Sequence, residues 1–170
     1  MPANMTVPCD SGLINIRVGA IILKDGRFLM AGNERDGYLY SVGGRIRFGE
    51  TAEEAVLREV EEETGRRLEV DRLGFIHENY FYGDIPGVNA GKLVYEVSFF
   101  FYMKVPEGFE PVGESRTDEG SVRETMQWVS PDDPRTIYPA FYRTELRRPE
   151  TTVKHFVTDE RQCAPRGSDL

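Results

Sequence analysis

From Glu50 to Gly65 the chain reads Glu-Thr-Ala-Glu-Glu-Ala-Val-Leu-Arg-Glu-Val-Glu-Glu-Glu-Thr-Gly, seven glutamates against one arginine. A glycine-rich turn, Gly44 to Gly49, leads into it. The segment is built as a helix. Thr51 with Glu54 three residues later is a capping box, and Gly65 stands where a helix stops in a left-handed cap. Its interior is mostly good helix formers, with neither Gly nor Pro.

At about 100° per residue, and with Ala52 as zero, Ala55, Val56 and Val60 fall within roughly 80° of one direction, the inward face of an amphipathic helix. Glu59 and Glu63 land in the same arc, at about −20° and +20°, and Glu62 on its edge at about −80°. Glu53, Glu54 and Glu61 point elsewhere. Three carboxylates on an apolar face repel one another and resist desolvation. Protonation relieves this, and so does a hard divalent cation with oxygen ligands. A solvated acidic helix, its inward face displaced by one position, would need neither. A cluster of three favours a metal, Mg²⁺ above all, with a substrate phosphate as its further partner.

The stretch resembles the Nudix box, G-x5-E-x7-R-E-U-x-E-E-x-G-U with U apolar. Gly44, Glu50, Arg58, Glu59, Val60, Glu62, Glu63 and Gly65 all stand where that pattern requires. Arg66 departs from it at the last apolar position, and Val42 replaces the proline that often precedes the glycine pair. The resemblance implies a Nudix-like α/β/α sandwich with a mixed central sheet and a loop–helix–loop motif. It implies bound Mg²⁺ or Mn²⁺ and attack by water on the pyrophosphate of a nucleoside diphosphate linked to another moiety. The partner is then a small nucleotide-like diphosphate. By position, Glu59, Glu62 and Glu63 resemble the metal ligands, with the Gly44 carbonyl often added, and Glu62 is a candidate proton acceptor. Related enzymes place another glutamate before a strand like that of Trp128. Glu119 is the choice here, with Glu124 and Glu114 as rivals. Arg58 is expected to orient a carboxylate, four residues from both Glu54 and Glu62, and Glu50 to brace the loop. Arg45 and Arg47 flank the box glycines as candidates to reach phosphates, with a plain surface charge an equal reading for Arg47. A non-catalytic nucleotide-sensing domain is the rival reading, but such domains often lose box carboxylates and this chain has kept them all.

A length of 170 residues suits one domain, 1–170, with flexible ends at about 1–12 and 161–170. The net charge of −8 is concentrated in the box, which suits a cation site and argues against binding nucleic acid. The N-terminus has no signal-peptide pattern, and no apolar run reaches the roughly 20 residues that cross a bilayer. Cys9 and Cys163 lie near opposite ends and read as free thiols of a cytoplasmic protein. A homodimer is compatible with the sequence.

Around the box, Leu13 to Leu23 reads as a strand buried on both faces, turning at Asp25-Gly26 into a second strand, Arg27 to Ala31. Tyr38 to Val42 delivers the chain to the glycines, its tyrosines read as packing. Arg67 to Val70, Leu73 to Tyr82, Lys92 to Val105 and Met126 to Val129 are further strands. The Lys92 run is expected beside the first strand. Residues 106–120 form a candidate functional loop. Tyr138 to Leu146 carries an aromatic stripe at helical spacing, and Thr151 to Val157 is a last edge strand. His77 and His155 read as structural.

Overall fold

The computed structural model describes residues 2–112, 115–116 and 122–163. In chain order the elements are β1 (Thr6–Cys9), β2 (Gly12–Ile21), β3 (Leu23–Lys24), β4 (Arg27–Asn33), β5 (Tyr38–Arg45), α1 (Ala52–Thr64), β6 (Glu69–Tyr82) and β7 (Leu93–Lys104). β8 (Ser115–Arg116), β9 (Arg123–Val129), β10 (Thr136–Tyr138), α2 (Tyr142–Glu145) and β11 (Lys154–Asp159) complete them. The strands form a mixed sheet in the order β11-β6-β7-β2-β5-β4-β9-β8. β2 runs parallel to β7, from Leu13 opposite Val94 to Ile21 opposite Tyr102, as the two most apolar runs require of central neighbours.

Alternation along the strands divides the core between the two faces. Val18 and Ala20 of β2 and Val42 of β5 turn toward α1, where they meet Ala55, Val56 and Val60. Ile21 and Leu39 turn to the other face, with Phe75, Phe100 and Tyr142 of the α2 segment. Helix therefore covers both faces of a mixed sheet, the α/β arrangement expected, although the second layer is a single short turn.

Four elements differ from the expectation. The Asp25-Gly26 turn, with φ of 50° and 70°, joins only β3 to the start of β4, because β5 lies between β2 and β4. The runs 67–70 and 73–82 merge into one long strand, β6, with register shifts at Val70/Arg72 and Leu73/Phe75. The helix expected from Tyr138 to Leu146 shrinks to Tyr142–Glu145, and Tyr138 ends β10, exposed, beside β5. Pro139 lacks an N–H and disfavours helix at the residue before it, so the aromatic spacing is not backed by the backbone. The polar lead-in forms β1, which pairs antiparallel with β2.

The box loop is pinned from the N-terminal side. Met5 N donates to Ile46 O at 2.7 Å and Phe48 N to Ala3 O at 2.8 Å.

Candidate metal and diphosphate site

The site is assembled where β5 passes into α1. Thr51 caps the helix by accepting from Glu54 N at 3.2 Å, while Glu54 Oε2 accepts from Thr51 N at 2.8 Å. At the other end Gly65, at φ 67°, donates to Glu61 O at 3.0 Å. With both ends fixed, the helix holds one face against the glycine pair, and Ala55, Val56, Glu59, Val60 and Thr64 are buried along it.

The carboxylates on that face separate by depth. Glu59 is 6% exposed and packs so closely on Gly44 that a Cβ there would lie 2.4 Å from Glu59 Oε1. Only glycine leaves that space. Glu63 accepts from Gly43 N at 3.2 Å, and its Oε2 is buried with no hydrogen-bond partner. Burial first, then the charges of Glu124 and Glu59, push the Glu63 carboxyl well above the usual range; Gly43 N–H and Arg17 oppose them. The Glu62 side chain remains 46% exposed at the rim, as its place on the edge of the arc predicts.

Arg58 ties the loop to the helix. Its Nε donates to Glu50 Oε1 at 2.6 Å and its Nη2 to Glu50 Oε2 at 2.9 Å, a two-point fork. Its Nη1 reaches Glu59 at 2.6 Å and Glu62 at 3.1 Å, and Nη2 also meets Arg45 O at 3.1 Å. Burial works against the Arg58 charge, but Glu50 and Glu59 outweigh it and raise its pKa. Glu62 is thus the partner expected at four residues, whereas Glu54 is not, because the cap has taken it. Glu50 also accepts from Arg47 N at 3.0 Å, and the Arg58 bonds hold its carboxyl below the usual range against burial. It is a brace.

A further carboxylate arrives from β9. Glu124, at the start of β9, is 7% exposed, and Tyr40 on β5 donates to its Oε1 at 2.5 Å. Glu114 and Glu119 lie outside the described residues. Residues 106–120 are described as far as Val112, whose N–H donates to Thr64 O at 2.7 Å, and at Ser115–Arg116. Nothing near residue 40 in the sequence signals the bond to a carboxylate 84 positions on.

A divalent cation suits this donor set. The groups are hard oxygens, and the orphaned Glu63 oxygen lies in a crowd of like charge with no proton donor of its own. Among the described residues no three of these carboxylates already stand arranged to hold an ion. Arg58 holds Glu59, and Arg47 joins it on Glu62 at 3.4 Å. A cation held here would exchange guanidinium contacts for metal contacts.

A sequence profile of the NUDIX domain matches residues 14–149. The chain belongs to the NUDIX family. A MutT-like protein of Streptomyces ambofaciens is 33% identical over 115 residues, 68% of this chain and 62% of that protein. The chain thus spans less than two thirds of that relative. The fold is similar to that of the mMutator MutT protein of Bacillus halodurans, with TM-score 0.58 and 21% identity over 84% of this chain and 90% of that one. It also resembles the MutT NUDIX hydrolase of Burkholderia pseudomallei, with TM-score 0.50 and 26% identity over 75% and 92% of the two chains.

The NUDIX box itself keeps its pattern in space. Arg66, the departure, sits beyond the helix stop, where its Nε donates to Glu110 O at 3.2 Å, so the mismatch lies outside the carboxylate face. The histidines lie elsewhere in the sheet. His77 is buried on β6 with Nε2 2.8 Å from Thr158 Oγ1, and burial, then His155, lowers its pKa. Exposed His155 lies 3.5 Å from Glu78.

Proposed function

We propose that this NUDIX protein is a metal-dependent hydrolase cleaving the pyrophosphate linkage of a nucleoside diphosphate joined to another moiety. Candidate substrates are nucleotide sugars, ADP-ribose, nucleoside triphosphates and dinucleoside polyphosphates. The observation that carries the reading is the buried, unpartnered Glu63 oxygen beside Glu59 and Glu124. Such an arrangement is costly in an inert helix and useful under a cation.

Glu59, Glu62 and Glu63 are the proposed ligands for Mg²⁺, with Mn²⁺ as a substitute and the Gly44 carbonyl as a further donor. A bound divalent cation supplies Lewis acidity, neutralising charge on the phosphate oxygens and activating water. The protein's own contribution is position. Arg58 and Glu50 hold the loop against the helix, and Glu62, the most open of the three glutamates, is the proposed proton acceptor. The second carboxylate assigned to Glu119 has its strongest support at Glu124, which is buried in the site. The acidic surround suits a small substrate over a polyanion. A cytoplasmic location is proposed with it, supported by two free cysteines.

A panel of these compounds, assayed with Mg²⁺ or Mn²⁺, tests the reading. At least one should yield phosphate or a nucleoside monophosphate, and Glu62→Gln and Glu63→Gln should each lower the rate roughly 100-fold or more. Failure to cleave any compound, with metal binding unchanged in both variants, would overturn it.

A further inference from the structure

The box loop is fixed along its backbone, yet the guanidinium it carries beside the carboxylates is held loosely. Ile46 N donates to Ile16 O at 3.0 Å, and Ile46 O accepts from Met5 N at 2.7 Å. Arg47 pairs with Asn4 in an antiparallel bridge. Its N–H donates to Glu50 Oε2 at 3.0 Å, and its carbonyl accepts from Glu50 N at 3.0 Å. Phe48 N donates to Ala3 O at 2.8 Å. The Arg47 guanidinium has no such grip. Its Nη1 and Nη2 each lie 3.4 Å from Glu62 Oε1, longer than an ordinary N–H···O bond.

Glu62 is thus shared by two arginines that differ in what else holds them. Arg58 reaches Glu62 Oε2 at 3.1 Å, but Glu50, Glu59 and the Arg45 carbonyl also fix it, so it keeps its place when Glu62 is taken. The Arg47 and Glu62 side chains are 26% and 46% exposed, and an ion pair that open contributes little to the fold. Its release is therefore cheap. A divalent cation on Glu62 displaces the guanidinium by taking its carboxylate. A phosphate on the same cation then stands beside the group that Arg47 has left. The Arg47 side chain already ends there, so the handover needs no movement of the backbone.

We propose that Arg47 is a substrate-binding residue that covers Glu62 before a cation binds and passes to a phosphate of the diphosphate when a cation takes Glu62. This rests on the metal and diphosphate reading of the site. A guanidinium suits both posts, since its planar fork matches carboxylate and phosphate alike.

Two binding measurements of opposite sign, neither needing turnover, test this on the whole chain. With no phosphate ligand present, Arg47→Gln should tighten Mn²⁺ binding, followed by electron paramagnetic resonance, by roughly two- to fivefold, because a competing positive charge is gone. In saturating Mg²⁺ the probe is methylenediphosphonate, a pyrophosphate analogue whose P–C–P bridge resists hydrolysis. Its affinity, measured by calorimetry, should fall roughly tenfold in the same variant. Arg47→Lys keeps the charge and loses the fork, so it should bind Mn²⁺ as wild type does and the diphosphonate at an intermediate affinity. A general loss of structure would weaken both ligands together. Diphosphonate affinity equal in Arg47→Gln and wild type, or Mn²⁺ binding unchanged or weaker in that variant, overturns the inference and leaves the metal reading standing. A wild-type chain that binds no Mn²⁺ overturns both.

Discussion

At Arg58 one guanidinium serves Glu50, Glu59, Glu62 and the Arg45 carbonyl at once. Charge alone does not meet that demand; it takes a planar fork with donors in fixed directions. Arg58→Lys should therefore keep the charge and lose the geometry, lowering the hydrolysis rate by roughly 10–100-fold and raising the Mg²⁺ concentration needed for half activity. Glu63 yields a prediction of opposite sign for stability. Its folded-state pKa is raised, so folding favours the protonated form. The associated stability is present below the unfolded carboxylate range and is lost as pH rises through the raised value. Without metal, Glu63→Gln should thus be more stable than wild type at neutral pH, by roughly 2–4 °C in Tm for each kcal/mol gained. The gain should vanish in acid, and thermal melts at stepped pH would show it. Glu59 and Glu63 are legible from spacing because a helix carries its own periodicity. Glu124 and Tyr40 are not, since their bond spans 84 positions and only the strand order brings them together.

The same contrast governs whole elements. α1 was readable because both its stops are local chemistry: Thr51 and Glu54 cap each other, and Gly65 takes the left-handed φ. Thr51→Ala should cost about 1 kcal/mol, measurable as a lower denaturant midpoint with an unchanged slope. β1 shows what local chemistry cannot reveal. Thr-Val-Pro-Cys carries little apolar alternation, and the segment is held by the backbone: Met5 N to Ile46 O, Ile16 N to Met5 O, and Phe48 N to Ala3 O. Such bonds are blind to side chains, so no residue pattern announces them. They do leave a testable mark. Met5→Pro removes the N–H that Ile46 O accepts, and should destabilise the fold by about 1–3 kcal/mol in a denaturant melt. The α2 segment errs the other way: an aromatic stripe suggested a longer helix, and Pro139 confines it to the residues beyond.

On the scale of the whole molecule, a net charge of −8 with much of its acidity in one helix gives cations two routes by which to stabilise the fold, the second of them through the proposed site. Salt of any kind screens the repulsion, an effect governed by ionic strength and shared across the surface. A cation bound at the carboxylate site adds a term set by occupancy, RT ln(1 + [L]/Kd), about 2.7 kcal/mol when its concentration is a hundred times Kd. At that concentration Mg²⁺ should raise Tm by roughly 5–10 °C over NaCl of equal ionic strength, with the rise following the logarithm of concentration rather than reaching a plateau. Glu63→Gln separates the two terms in one comparison. It changes the total charge by a single unit, so screening by NaCl should be nearly that of wild type, while the Mg²⁺-specific rise should be largely lost. Should the rise survive in Glu63→Gln, the cation is acting on the surface, and the buried carboxylate oxygen does not mark its site.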